Sequence, residues 1–348
     1  MTVSAAAVSY FLPYFAWVET LSFLNFPFRL LFLYCQCFCD KILFREFTVQ
    51  ETYMKKYGPA IAVILAGCLW GVINIFVKKL SAAGLDSLQI ALGRLAGAAI
   101  LFSLFLLIRD PSGFRIDLKD IWMFIGTGVI SVVFFSLCYF YTMIRGQASV
   151  AVVLLYTSPV FVMLFSALLF KERITPRKIY SLILTVTGCV FVSGIISGNL
   201  SVTSLVLLSG IASGMLYALY TIFGRYALAK YSTYTVTVYT FILAFIASVF
   251  ICDAPGLVHT LQAEPSLIPW LLGLSVISTV FPYFLYTWGL QHMESGKAAI
   301  LVAVEPVVGA VIGMTVFREP HDLYKLIGIA LIISAIIVLN SNGKTGKT

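Results

Sequence analysis

Ten stretches of about twenty mostly apolar residues divide this chain, and they fix its solvent before any fold is considered. A bilayer core about 30 Å thick takes about 20 residues of helix to cross. From residue 59 onward the runs fall at approximately 59–77, 86–108, 121–143, 149–170, 177–197, 203–224, 233–252, 268–290, 297–317 and 323–340. Backbone in hydrocarbon has no water to bond, so each run is expected to close its own hydrogen bonds as a helix. No alternation of polar and apolar residues marks a transmembrane β-barrel. Composition agrees: 60% of residues are hydrophobic, 11% are charged and the mean hydropathy is +0.99, where a soluble domain carries about a quarter charged. The expected fold class is an all-α membrane protein of ten transmembrane helices, with the lipid bilayer as its first partner.

The net charge of +8 could suggest a nucleic-acid binder. The basic residues, however, sit in short links between apolar runs rather than in patches interleaved with aromatics, so no nucleic acid is expected. Their distribution reads as topology. With the segment before residue 59 placed inside, fourteen Lys and Arg fall on that side: Lys55, Lys56, Arg109, Arg115, Lys119, Lys171, Arg173, Arg177, Lys178, Arg225, Lys230, Lys297, Lys344 and Lys347. Five fall outside: Lys78, Lys79, Arg145, Arg318 and Lys325. The bias puts both ends of the ten-helix body in the cytoplasm of a cell whose inner membrane it spans.

Residues 1–53 do not fit this pattern. They are rich in Phe, Tyr and Leu but broken by Pro13, Glu19, Pro27, Arg29 and Asp40. They form neither a signal peptide with a cleavage site nor a clean span. Met54-Lys55-Lys56 before an apolar run reads as an ordinary start of a bacterial inner-membrane protein, so translation from Met54 is expected. The rival is an eleventh or peripheral helix over about 5–33.

The chain repeats itself. Shifted by 147 residues, Ser158-Pro159 falls on Glu305-Pro306, Lys171-Glu172 on Arg318-Glu319 and Tyr139 on Tyr286. Shifted by 143, Gly67-x-x-x-Gly71 falls on Gly210-x-x-x-Gly214 and Asn74 on Tyr217. The halves are 54–200 and 201–341, followed by a tail at 342–348. Five helices per half is an odd number, so the second half is expected to be inverted relative to the first. Inverted repeats are a common architecture of secondary transporters, because two pseudo-symmetric halves can open a central site to each side in turn.

Four features resemble the EamA family of the drug/metabolite transporter superfamily: Leu69-Trp70-Gly71 in the first run; the lone Arg94 in the second; the long fourth run with Pro159, ending in Lys171-Glu172-Arg173; and Val304-Glu305-Pro306 with Phe317-Arg318-Glu319 in the ninth. The likeness covers nearly all of 59–340. It implies ten helices and movement of small metabolites, often amino acids. Ser213 departs from it, standing where an aromatic would answer Trp70.

Arg94 and Glu305 are the ionisable side chains deep inside the runs, and a charge there costs about 2.5–3.5 kcal/mol on insertion scales, so each needs a polar cavity or a partner. Glu305 could bind an amine or cycle a proton, or it could cap backbone freed by Pro306. Arg94 could hold a carboxylate, tie helices together or reach toward the outer headgroups. The expected substrate cavity comprises Trp70, Asn74, Tyr139, Ser158, Tyr217, Tyr220, Tyr286 and Glu305. Tyr139, Tyr217, Tyr220 and Tyr286 are mid-run rather than interfacial; their bland reading is a buried tyrosine bonded to a facing carbonyl. Gly67, Gly71, Gly210, Gly214, Gly309 and Gly313 read as close helix contacts.

Function follows as a secondary transporter of a small metabolite, an amino acid or related zwitterion, by alternating access and in the efflux direction, with protons as the candidate coupling ion. The alternatives are an uncoupled facilitator, a membrane-embedded enzyme or a scaffold. Motifs such as HExxH and GxSxG are absent, and the links are too short to dock a large partner. Seven cysteines with no CxxC and three distant histidines predict no metal site, and no cofactor is expected. A homodimer stays open. The charge bias sets a test: a reporter fused after Thr348 should read cytoplasmic and one inserted in 198–202 should read external. A cytoplasmic signal from 198–202 contradicts the topology.

Overall fold

The computed structural model describes residues 50–145, 148–193, 195–197, 203–318 and 323–340. The chain divides into the units Met1–Lys55 and Lys56–Thr348. Of the first unit only 50–55 falls among the described residues, and it is helical. The readings of 1–53 as a segment upstream of a start at Met54, and of about 5–33 as an eleventh or peripheral helix, fall outside them except for 50–53.

Within the second unit a helix covers each of the ten apolar runs, and the described residues are otherwise turns and short connections. We number them α1 (Tyr57–Ala82), α2 (Ser87–Arg109), α3 (Leu118–Arg145), α4 (Val150–Phe170), α5 (Pro176–Val192), α6 (Ser204–Leu228), α7 (Thr233–Val249, turning by 94° into Ala254–Ala263), α8 (Pro265–His292), α9 (Ser295–Thr315) and α10 (Leu323–Asn340). Eight are long and apolar enough to cross a membrane, nine if the bent pair of α7 is one span. α5, at 17 residues, falls just short of the length of the others. Large apolar side chains such as Ile100, Leu107, Ile183, Leu208 and Ile337 point out of the bundle, the outward face that hydrocarbon requires.

The two halves share their irregularities. α4 is interrupted after Leu155 and resumes at Ser158, and α9 passes through a 3₁₀ turn at Val302–Val304 before resuming at Glu305. In both, proline is the second residue of the new helix; it has no N–H to give and its ring crowds the carbonyl four residues earlier, so the break falls just before it. α3 widens into a π-helix over Gly126–Phe134 and α8 does so over Val276–Val280. Lys171 and Arg318, ending α4 and α9 regions 147 residues apart, both take the left-handed conformation, at φ 56° and 53°. α2 and α7 both start on a side-chain cap, Asp86 accepting from the Gln89 N–H and Ser232 from the Thr235 N–H.

Packing repeats too. α5 lies along α10, α2 along α7, α6 against α3 and α4, and α1 against α8. Small residues set the closest approaches. A Cβ on Gly67 would meet the Val302 carbonyl at 2.7 Å, and one on Gly71 the Glu305 carbonyl at 2.8 Å, so α1 rests backbone to backbone on α9. In the other half Gly214 would meet the Leu154 carbonyl at 2.7 Å, seating α6 on α4. Gly309 has its nearest neighbour, the Asn74 amide, at 3.9 Å. Overpacking a tight contact costs about 1–3 kcal/mol. Gly67→Val should therefore lower the melting temperature of the purified protein, whereas Gly309→Ala should leave it nearly unchanged. Equal melting of the two variants contradicts the packing described.

Candidate functional site

A small cavity at the centre of the bundle is lined by Trp70 of α1, Ser131 of α3, Tyr217, Tyr220 and Thr221 of α6, and Tyr283 and Tyr286 of α8. Two ring pairs centred on Tyr283 are set edge to face, which lets the positive edge of one ring meet the negative face of the next. Trp70 meets Tyr283 at 5.0 Å and 82°, and Tyr220 meets Tyr283 at 5.3 Å and 78°. Two hydroxyl pairs hold α6 to α8: Tyr220 with Thr287 and Tyr286 with Thr221, each at 2.7 Å. These tyrosines are thus bonded to facing threonines rather than to carbonyls.

Glu305 opens the second part of α9, immediately after its 3₁₀ turn. Its side chain is half-buried. Tyr156, at the break in α4, hydrogen-bonds the carboxylate. Tyr139 of α3, Tyr217 of α6 and Tyr283 of α8 stand within its electrostatic reach. Tyr217 belongs to both groups, touching Phe135 at 5.5 Å beside Tyr139 and lining the aromatic cavity. Arg94 of α2 interacts electrostatically with Glu305 and Tyr283. Its Nε is buried and has no hydrogen-bond partner among the described residues. Glu305 and Arg94 thus lie within electrostatic reach of the tyrosines that adjoin and line the aromatic cavity.

Of the residues expected from sequence, Trp70, Tyr217, Tyr220 and Tyr286 line the cavity. Tyr139 and Glu305 adjoin it through the tyrosine cluster, and Ser158 is buried at the α4 break. Asn74 is exposed and faces Gly309 instead. Sequence reasoning passed over Tyr156, Tyr283, Ser131 and Thr221. The two tyrosines carry the same mid-run signal as those it picked, while the hydroxyls carry none.

Polar contacts gather beyond the helix ends. Glu172 accepts from the Ser295 and Gly296 N–H groups at 2.8 and 3.2 Å, and Lys178 pairs with Glu294 at 2.9 Å. Arg225 donates to the Leu290 and Met293 carbonyls at 2.7 and 2.8 Å. Asp120 accepts from Lys230 at 2.8 Å and from Tyr231 at 2.7 Å, and this bond raises the Lys230 ammonium above its ordinary pKa. At the start of α2, Gln89 reaches Asp253 at 3.4 Å.

A multi-pass helical bundle with a polar, carboxyl-bearing site inside it is the form of a membrane transporter. The chain belongs to the EamA-like transporter family, whose model matches it twice, at 58–194 and 204–341. It is similar to an uncharacterized transporter of Archaeoglobus fulgidus, 28% identical over 82% of this chain and 99% of that one. It is also similar to the pseudopaline exporter CntI of Pseudomonas aeruginosa, 30% identical over 84% of this chain and 98% of that one. A solved crystal structure overlays with a TM-score of 0.68 at 16% identity, over 81% of this chain and 96% of that one, which is a likeness of fold. The double match agrees with the repeat read from the sequence, and the relatives' names are those of transporters.

Proposed function

We propose that this protein is a secondary transporter that exports an amino acid or related zwitterion by alternating access, with Glu305 as the group that binds the substrate amine or exchanges a proton. The observation that carries the reading is Glu305 itself, a half-buried carboxyl of α9 with Tyr156 as its hydrogen-bonding neighbour and Tyr139, Tyr217 and Tyr283 within its electrostatic reach. Arg94 complements it as the partner of a substrate carboxylate, with its Nε still unpaired. The aromatic walls suit a cation or an apolar side chain. Export is the direction given in the name of the Pseudomonas relative, and a bacterial inner membrane is the matching location.

Ten crossings are supported by the polar contacts, because groups that touch must lie at one membrane face. Arg225 ends α6 and touches the end of α8. If α8 crosses, α7 must cross as well. Asp120 starts α3 and Lys230 follows α6. With α3, α4 and α6 crossing, α5 must cross too. The Glu172–Ser295 and Gln89–Asp253 contacts obey the same parity. Ten crossings in two halves of five make the repeats inverted, and the positive-inside bias puts both ends of the helical body in the cytoplasm.

The test is a panel of amino acids and related zwitterions in proteoliposomes, with and without a pH gradient. Glu305→Gln keeps the shape of the side chain and removes its charge. It should preserve expression and melting temperature. Flux should fall about thirtyfold, matching the loss of one charge-assisted hydrogen bond of about 2 kcal/mol. Wild-type flux indifferent to the gradient identifies an uncoupled facilitator. A variant that aggregates in detergent makes Glu305 structural, and one that transports normally removes it from the mechanism.

A further inference from the structure

Beyond the bend of α7 lies a helix too short to be a span. Ala254–Ala263 has ten residues. At about 1.5 Å per residue it covers about 15 Å, half of a bilayer core of about 30 Å. The 94° turn sets it almost perpendicular to the spanning part of α7, so it runs along the membrane face. Asp253 caps it, accepting from the Gly256 N–H at 3.0 Å, and Pro255 stands in its first turn. The cap and the proline start the new helix where the bend ends.

Its neighbours fix its level. Asp253 also accepts from the Gln89 amide of α2 at 3.4 Å, and a Cβ on Gly256 would meet that amide at 2.8 Å. Leu257 is buried where the short helix packs on α2. α2 starts at Ser87, two residues before Gln89, and α8 starts at Pro265, two residues after Ala263. Both are long and apolar enough to span. The short helix therefore lies at the membrane face where these two spans begin. Near the same face the Lys79 ammonium of α1 stands 5.9 Å from the Trp270 ring of α8, a pairing suited to the headgroup region.

Around its axis the helix sorts residues by polarity. At about 100° per residue, Ala254, Leu257, Leu261 and Val258 fall within one sector of about 100°, and His259, Thr260 and Gln262 fall outside it. The bundle covers part of that sector: Leu257 is buried and Leu261 half-buried, while Val258 at its edge is 53% exposed. Exposure continues into the bend, where Phe250 is 84% exposed and Ile251 41%. Phe250 stands one turn beyond Ile246, an outward-facing residue of the spanning part of α7. An apolar edge continuous with a lipid-facing side is covered by the same lipid. Residues 249–268 include Asp253 and Glu264 but no Lys or Arg, so attraction to anionic headgroups does not hold the segment.

We propose that Ala254–Ala263, with Phe250 and Ile251, is an interfacial anchor that lies in the headgroup region and sinks Phe250, Ile251 and Val258 among the acyl chains of zwitterionic phospholipid. Through Asp253 and Gln89 the anchor also fixes the start of α2, so the lipid surface sets the height of both repeats at this face. The corresponding link of the first repeat, between α2 and α3, carries a 3₁₀ turn at Pro111–Phe114 in its place. The anchor thus belongs to one half and to one membrane face.

Spin labels on the full chain test this. In a background without native cysteines, Phe250→Cys, Val258→Cys or His259→Cys is labelled, and the protein is placed in phosphatidylcholine vesicles. Relaxation by oxygen, which collects in the bilayer, against relaxation by a water-soluble nickel chelate reads the depth of each label. The Phe250→Cys and Val258→Cys labels should lie about 5–10 Å into the boundary between headgroups and acyl chains. The His259→Cys label should be relaxed more by the chelate than by oxygen. Adding anionic phosphatidylglycerol should move none of them. Water-like relaxation at both Phe250→Cys and Val258→Cys overturns the anchor, as does a seat found only with anionic lipid. Spin–spin broadening at Val258→Cys that vanishes on dilution with unlabelled protein overturns it too, because a second copy then covers the edge.

Discussion

A carboxyl group in the middle of a membrane must be given polar company, and much of this structure is arranged around that need. Leaving such a charge alone in hydrocarbon costs about 2.5–3.5 kcal/mol on insertion scales. Glu305 meets the cost by standing at a helix break, where the 3₁₀ turn of α9 gives way to a new helix. Tyr156 comes to it from the matching break in α4, and Tyr139, Tyr217 and Tyr283 of three further helices stand within its electrostatic reach. The glycines of α1 let that helix press its backbone against α9 at the same level. A bulkier α1 would open a gap on one side of the carboxyl.

The scaffold is symmetric and the chemistry is not. Breaks before Pro159 and Pro306, π-turns in α3 and α8, left-handed Lys171 and Arg318, and the glycine contacts all recur in both halves. Where the repeat aligns positions singled out from sequence, residues differ: Ser158 against Glu305, Trp70 against Ser213, Asn74 against Tyr217. A role in packing would be needed in both halves. Glu305 has no charged counterpart in the first half, where Ser158 stands, and that asymmetry is the ground for the role proposed for it.

The helices were legible because hydrophobic length alone dictates them in lipid. The repeat was legible because short motifs recur at fixed offsets. The distortions inside helices were not, since a π-turn is set by the neighbours packed against it and leaves no mark in composition. The run at 233–252 reads as one apolar stretch, yet α7 ends at Val249 and the chain bends by 94° beyond it. Asn74 was grouped with Trp70 by ideal helical spacing. A turn at Val72 lies between them, and Asn74 stands exposed beside Gly309 of α9 rather than at the aromatic cavity. Ser131 and Thr221 carried no signal, because small hydroxyls in membrane helices usually bond their own backbone.

The central claim is that the two repeats must part at one membrane face for Glu305 to be reached from it. There, Glu172 of the first repeat holds the start of α9 in the second. The direct measurement is flux through protein carrying Glu172→Cys and Ser295→Cys in a background without native cysteines, joined by a short cleavable thiol cross-linker. The account predicts that cross-linking stops transport and that cleavage restores it to the rate of the unlinked double variant. Transport at an undiminished rate with the two residues joined would contradict it.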